Sequence, residues 1–344
     1  MTKRAPPEPR PTVTIRDVAR HAGVSIGTVS RAFKQQGGLT EATRAQVFRV
    51  AETLGYDTAN LRAARLRRVS FLVHRQHSAP TANPFYSHVL HGVEDECRAR
   101  GLTLLYSSVS QGEDAAAVVR RHEADGLLCV GHLGRALLAD LGALKLPTVL
   151  IDSFAPGVAS VNSDNFGGAY QAVRHLISLG RRRVAFIGGQ AEHFSIQERR
   201  RGYRAALEDA GLAYQAALDA TRDPPEQEEG ARAAMRTLLA LAAPPDAVFA
   251  FNDATALLAM RTCQAAGWRV PRDIAFVGFD DVGAAAGAYP PLSTVRVNKE
   301  ALGARGVELL LDRKRGARES VTVPVELVVR ESSGGTGKEQ LRGS

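Results

Sequence analysis

The 344-residue chain has only three cysteines. Cys97, Cys129 and Cys263 lie far apart in apolar stretches, and an odd, scattered set supports neither a disulfide framework nor a zinc site. Each reads as a small core residue. No apolar run approaches the roughly 20 residues that a bilayer span requires, so no membrane partner is expected. The opening Met-Thr-Lys-Arg-Ala-Pro-Pro-Glu-Pro-Arg-Pro lacks the apolar stretch of a secretory signal, and the expected location is cytoplasmic, at the nucleoid. Catalytic signatures are missing too: there is no Gly-x-Ser-x-Gly elbow, phosphate-binding loop, dinucleotide glycine fingerprint or metal-spaced histidine cluster. The Gly188-Gly189 pair alone specifies nothing. The expectation is a non-enzyme with no cofactor and no metal.

Net charge is missing from most of the chain. The sequence carries 44 Lys/Arg against 36 Asp/Glu, a net +8. Residues 1–68 hold 13 Lys/Arg against 5 Asp/Glu, again +8, which leaves the other 276 residues neutral. A basic head on a neutral body is the footprint of a nucleic-acid-binding unit joined to one with a different task.

The head begins after a proline-rich arm, residues 1–11, that is expected to be disordered. Over residues 12–57 the pattern predicts three short helices around one small core. Thr14 and Asp17 stand at capping-box spacing, and Ile15, Val18, Ala19 and Ala22 share a helical face. Gly23 ends that helix. Ser25 is the expected N-cap of a second helix, with Val29, Ala32 and Phe33 inward and Ile26, Gly27, Ser30, Arg31 and Lys34 outward. Thr40 caps a third, whose buried stripe is Val47, Val50, Ala51 and Leu54 and whose stop is Gly55. Two helices joined at a glycine are a helix-turn-helix, and in that geometry the second helix enters the major groove of DNA. Ile26, Gly27 and Arg31 are then the base-reading candidates: arginine can fork onto a guanine, isoleucine can touch a thymine methyl, and glycine permits close approach. Thr14, Ser25, Thr28, Ser30, Lys34 and Thr40 suit phosphate contacts, which position without specifying.

From Val69 onward, short Val/Ile-rich runs alternate with helical stretches, the pattern of parallel sheets covered on both faces. Strands are predicted at 69–73, 103–107, 126–130, 148–151, 184–187, 247–251 and 274–278. Helices are predicted at 85–100, 168–179, 200–210, 230–241, 254–266 and 299–312. Ligands of such sheets meet the loops at the carboxyl ends of strands. Asp152, Asn252-Asp253 and Asp280-Asp281 fall there. Each could instead cap the following helix.

The run Thr-Ile-Arg-Asp-Val-Ala-Arg-His-Ala-Gly-Val-Ser from Thr14, with Thr28-Val29-Ser30-Arg31, Thr43-Arg44 and Leu54-Gly55-Tyr56, resembles the LacI/GalR family of bacterial transcriptional regulators. The resemblance implies a DNA-binding regulator of the repressor type, acting as a homodimer on a palindromic operator of double-stranded DNA, with affinity changed by a small-molecule effector. The fold class it implies is an all-α helix-turn-helix domain followed by an α/β two-lobed, periplasmic-binding-protein-like domain with parallel sheets. The body would occupy 69–334, with lobe one at about 69–165 and 292–318 and lobe two at about 166–291 and 319–331, leaving 335–344 as a disordered tail. That tail has no heptads, so a dimer is the default assembly.

The resemblance also implies effector contacts at Asp152-Ser153, Asn162-Ser163-Asp164-Asn165, Ser195 with Arg199, Phe251-Asn252-Asp253 and Gly278-Phe279-Asp280-Asp281. Asn83-Pro84-Phe85-Tyr86 matches the family motif at the first body helix. Asp152 and Asp280 can accept hydroxyl bonds, Arg199 can fork onto a diol or carboxylate, and Asn252 both donates and accepts. Such a set suits a sugar or related polar metabolite. Pro224-Pro225 stands where sugar-binding members often carry an aromatic platform, so stacking would fall to Phe85, Tyr86 or Phe194, unless these are core residues.

The join at 58–68 departs from the family. Members commonly read Tyr-x-Pro-Asn-x-x-Ala-Arg-x-Leu there, a hinge helix whose leucine wedges into the minor groove. Here Tyr56 to Leu66 has no proline, and Ala64 replaces the arginine. Counting from Tyr56 puts Arg65 at the wedge; counting from Asn60 puts Leu66 there, which suits intercalation better. Two rival readings are weighed: an exported or cytosolic solute-binding protein, and a sugar- or nucleoside-processing enzyme. The first has no use for a DNA-reading head, and the second lacks a catalytic motif. The sequence leaves the sign of the effector response open.

Overall fold

The computed structural model describes residues 13–33, 37–56, 66–75, 84–110, 112–222, 227–312 and 319–335. The chain divides into two compact units, Met1–Leu66 and Arg67–Ser344. In the first, α1 (Ile15–Ala22), α2 (Ile26–Phe33) and α3 (Glu41–Thr53) enclose a core of Val18, Ala19, Ala22, Val29, Ala32, Phe33, Val47 and Ala51. The capping box between Thr14 and Asp17 is formed. Ser25 Oγ accepts from Thr28 N at 3.0 Å and Thr40 Oγ1 from Thr43 N at 3.2 Å. Gly23 closes α1 at φ +66°, a left-handed turn that glycine enters without a Cβ clash. Phe33 stacks on Tyr56 at 5.6 Å, which fixes the end of α2 against the exit of α3.

The body follows in chain order as β1 (Arg68–His74), α4 (Phe85–Ala99), β2 (Thr103–Val109), α5 (Ala115–Arg121), β3 (Gly126–Val130), α6 (Arg135–Gly142), β4 (Thr148–Ile151) and β5 (Ala159–Ser163). Next come α7 (Asn165–Ser178), β6 (Val184–Gly188), α8 (Phe194–Asp209), β7 (Asp219–Thr221), α9 (Gln227–Leu239), β8 (Ala247–Ala250), α10 (Asp253–Ala265), β9 (Ala275–Val277) and α11 (Gly283–Ala286). The chain ends through β10 (Thr294–Val297), α12 (Lys299–Leu311), β11 (Ser320–Val323) and β12 (Val325–Val328).

Two parallel sheets result. Lobe one has the order β11-β5-β4-β3-β1-β2 and lobe two β7-β6-β8-β9, while β10 and β12 form an antiparallel pair. Every residue of β3, β5, β6, β8 and β9 is buried, as sheets covered on both faces require. Strand order reverses direction beside β1 and β3 in one lobe and beside β6 and β8 in the other, which places a crevice at their carboxyl ends.

Two boundaries need correction. Residues from 319 were expected in lobe two, yet Ser320–Val323 pairs in parallel with β5 of lobe one. Conversely, residues from 292 were expected in lobe one, yet Ser293 and Arg296 bridge to Val277 and Asp280 of lobe two. The physical reason is that the crossover strands extend both sheets before changing lobe. The arm at 1–11, most of the join at 58–68 and the tail beyond Gly335 lie outside the described residues.

Candidate nucleic-acid interface and ligand cleft

On the head, burial divides the second helix as the periodicity requires. Val29 and Ala32 are fully buried, whereas Ile26 is 47% exposed, and Ser25, Gly27 and Arg31 are exposed beside it. Thr28 and Ser30 are half-buried; Thr14 and Thr40 are exposed. The helix therefore exposes an isoleucine in its first turn and an arginine in its last, an apolar group and a forked donor on one short element. That pairing is what a groove floor of methyl groups and base acceptors recognises. Of the remaining candidates, Lys34, Asn60 and Arg65 lie outside the described residues. Leu66 is 5% exposed, and the next two backbone amides, of Arg67 and Arg68, both donate to Asp125 Oδ2, at 2.9 and 3.0 Å.

In the body, the loops after β4 and β9 and the start of α8 bring Asp152, Ser195, Arg199 and Asp280 together. All four are buried. Asp152, from lobe one, accepts the Tyr86 hydroxyl at 2.8 Å and the Ser195 hydroxyl from lobe two. His193 Nε2 stands 3.8 Å from the same carboxylate. Burial lowers the pKa of this imidazole despite Asp152, which pulls it the other way. Burial, with Asp152 adding to it, raises the Tyr86 phenol well above its ordinary value, so Tyr86 is a permanent donor.

Arg199 is held on three sides. Its Nε donates to Asn165 Oδ1 at 2.9 Å, its Nη1 to the Phe251 carbonyl at 2.5 Å, and its guanidinium lies 3.7 Å over the Phe279 ring. Nη1 also stands 3.5 Å from Asp280 Oδ1, an ion-pair distance. That oxygen is buried and accepts no hydrogen bond among the described residues. Burial raises Asp280 to about 6 against the opposing pull of Arg199 and Lys299. Its backbone ties it to the crossover: Asp280 N donates to Val295 O at 2.8 Å, and Asp280 O accepts from Lys299 Nζ at the start of α12.

Other candidates are placed differently. Asn252 spends its Oδ1 capping α10 through Thr255 N at 2.9 Å, leaving its amide protons as donors. Phe85 is 3% exposed and edge-on to Tyr86 at 5.1 Å, so it buttresses Tyr86 and offers no open face for stacking. Phe194 stacks on Phe154 at 5.3 Å.

Sequence reasoning missed the histidines. His74, the last residue of β1, and His132, after β3, line a cavity of about 540 Å³ with Glu113, Gln190 and Glu192, and the His132 ring lies 6.0 Å from that of His193. Their signal was positional: both stand at the carboxyl ends of strands beside a topological switch point. Asp152, Asp280 and Asp281 have φ of +54°, +110° and +52°, backbone conformations costly outside glycine and concentrated here in the cleft.

A basic helix-turn-helix joined to a two-lobed body with a polar cleft is the build of a ligand-responsive DNA-binding regulator. Known proteins agree with that class. The family profile of bacterial regulatory proteins, lacI family, matches residues 14–59, and that of the periplasmic binding protein-like domain matches 173–333. The chain is 31% identical to the HTH-type transcriptional repressor PurR of Photobacterium profundum, over 93% of this chain and 98% of that protein. It is 34% identical to the HTH-type transcriptional regulator CelR of Thermobifida fusca, over 93% and 96%. Among solved structures, a transcriptional regulator CelR–cellobiose complex superposes with a TM-score of 0.72 at 33% identity, covering 93% of this chain and 99% of that one. The chain belongs to the LacI family of bacterial transcriptional regulators. No helix among the described residues is long and apolar enough to cross a membrane.

Proposed function

We propose that the chain acts in the cytoplasm as a homodimeric repressor of a palindromic operator, and that a polyhydroxylated small molecule in the cleft changes its affinity for that operator. In each head, Ile26, Gly27 and Arg31 read base edges. Thr14, Ser25, Thr28, Ser30, Lys34 and Thr40 hold phosphates. Asn60 and Arg65 contact the minor groove, and Leu66 joins them only by leaving its buried position. In the body, Asp152, Ser195, Arg199, Asn252 and Asp280 hold the effector, with Tyr86 behind Asp152.

The observation that carries the effector reading is Asp280 Oδ1, a buried acceptor with no hydrogen-bond partner among the described residues. Arg199 reaches this oxygen only at 3.5 Å, and a ligand hydroxyl would give it the hydrogen bond that a buried acceptor needs. The cellobiose in the similar CelR complex supports a sugar as the ligand class. Because Asp280 is bonded through its backbone to β10 and α12, ligand binding there also bears on the crossover that sets lobe closure. The direct Ser195–Asp152 bond spans the lobes, so a ligand inserted between them exchanges one closed arrangement for another. Differential affinity for two such arrangements is what couples the effector to the heads.

The test is a thermal-shift screen of sugars and nucleosides, followed by operator titrations with any that bind. A stabilising ligand should change operator affinity several-fold, and Asp280→Asn should weaken its binding. Ligands that raise the melting temperature yet leave operator affinity untouched would sink the coupling.

A further inference from the structure

A second arginine, which the site described above does not use, stands at the carboxyl end of the lobe-two sheet. Arg222 directly follows β7, and its backbone N–H donates to Gly188 O at 2.9 Å, at the carboxyl end of β6. Its guanidinium carbon lies 5.4 Å from the centre of the Phe251 ring, on the same residue whose carbonyl receives Arg199. That ring also covers Gly189, where an added Cβ would meet Phe251 Cζ at 3.0 Å and Ile196 Cδ1 at 2.8 Å. Phe251 thus roofs the ends of β6 and β8, and Arg222 lies against it on the lobe-two wall.

Arg222 has no ionic counterpart among the described residues. Its Nε is buried and has no hydrogen-bond partner there. Burial alone lowers its pKa, with no charged neighbour contributing. The contrast with its surroundings is sharp: Arg199 faces Asp280, Arg200 and Arg204 face Asp219, and Arg296 and Arg330 face Asp281. A half-buried guanidinium without a counter-ion is costly unless an anion arrives to pair with it. Its planar fork matches the oxygens of a carboxylate or a phosphate.

We infer that Arg222 is a specificity residue of the cleft, and that the effector carries an oxyanion, a carboxylate or a phosphate ester, seated on Arg222 while its hydroxyls engage Asp152 and Asp280. This rests on the effector reading above and adds the charge of the ligand to it. Phe251 fixes the fork by a cation–π contact, so little conformational freedom is lost when the anion binds.

The test uses the full chain at constant ionic strength, with matched sets of glucose, glucuronate and glucose 6-phosphate and the corresponding galactose compounds. Each is titrated by thermal shift into the wild type, Arg222→Gln, Arg222→Lys and Asp280→Asn, after their ligand-free melting temperatures are compared. At least one anionic member should bind about 10- to 100-fold more tightly than its neutral parent, the span expected for one charge-assisted pair. Arg222→Gln should erase that gap, and Arg222→Lys should keep part of it. The carboxylate and phosphate arms tell the two oxyanions apart. Three outcomes overturn the assignment: neutral parents binding as tightly as their anions, a gap that survives Arg222→Gln, or no response to any anion. Failure of the effector reading looks different, because binding would then be indifferent to Asp280→Asn as well.

Discussion

Asp280 is pulled two ways, and the balance sets a pH dependence. Burial disfavours its charge, while Arg199 and Lys299 favour it, and the outcome is a pKa of about 6. The unfolded chain titrates an aspartate near 3.9. Between those values the folded state holds a proton that the unfolded state has released, so protonation favours folding there. The contribution is fully present below about pH 4 and is lost as pH rises through about 6. Asp253, raised by burial and by Asp280, adds a slope of the same sign. In urea denaturation series, Asp280→Asn should flatten the fall in midpoint between pH 4 and 6 relative to wild type. Parallel wild-type and variant curves across that window would show that Asp280 is ionised in the folded state throughout.

Helices α4 and α12 meet at two glycines, and that contact fixes the outer layer of lobe one. A Cβ at Gly92 would collide with the backbone of Glu300, and one at Gly303 with the Val89 carbonyl and, at 2.7 Å, the Val93 amide. Backbone cannot swing aside as a flexible side chain can, so either alanine must push the helices apart. Overpacking of this kind costs about 1–3 kcal/mol. Gly92→Ala and Gly303→Ala should therefore each lower the urea midpoint of the body. Gly142→Ala, where nothing lies within 4 Å of the added carbon, serves as the control and should leave it near wild type. Equal behaviour of all three would mean that the helix crossing relaxes freely.

These elements also mark what the sequence could convey. Caps and stripes of the head are local: Thr14 with Asp17, Ser25 with Thr28 and Thr40 with Thr43 lie within one turn, and the predicted helices hold the bonds that their spacing implies. The body strands that were read are the continuous apolar ones. Ala159–Ser163 escaped because its Ala-Ser-Val-Asn-Ser pattern is half polar, although every residue is buried between neighbouring strands. In the cleft, Asp152 and Asp280 were legible as residues ending strands. Their left-handed backbones, the Ser195 bond across the lobes and the isolation of Arg222 depend on residues tens of positions apart, which no local pattern encodes.

Across the whole molecule, charge and fold divide within two residues of each other. The chain's net +8 resides in residues 1–68, and the compact units part at Leu66 and Arg67. The larger unit spreads a net +2 over its 278 residues, against +6 on the 66 residues of the head, so most binding to phosphates must come from the head. Neutralising phosphates releases condensed counterions, and affinity then falls as a power of the salt concentration. If two heads together make about 6–10 phosphate contacts, operator affinity should drop roughly 10³- to 10⁵-fold between 50 and 200 mM salt. A chain beginning at Arg67 should lose DNA binding altogether while keeping its thermal response to any ligand that stabilises the full chain. Fluorescence anisotropy on a labelled operator at several salt concentrations measures the first, and thermal shift on the truncated chain the second. DNA affinity retained by the truncated chain would move the interface onto the body, and a ligand response lost with the head would mean that the cleft needs the head to form.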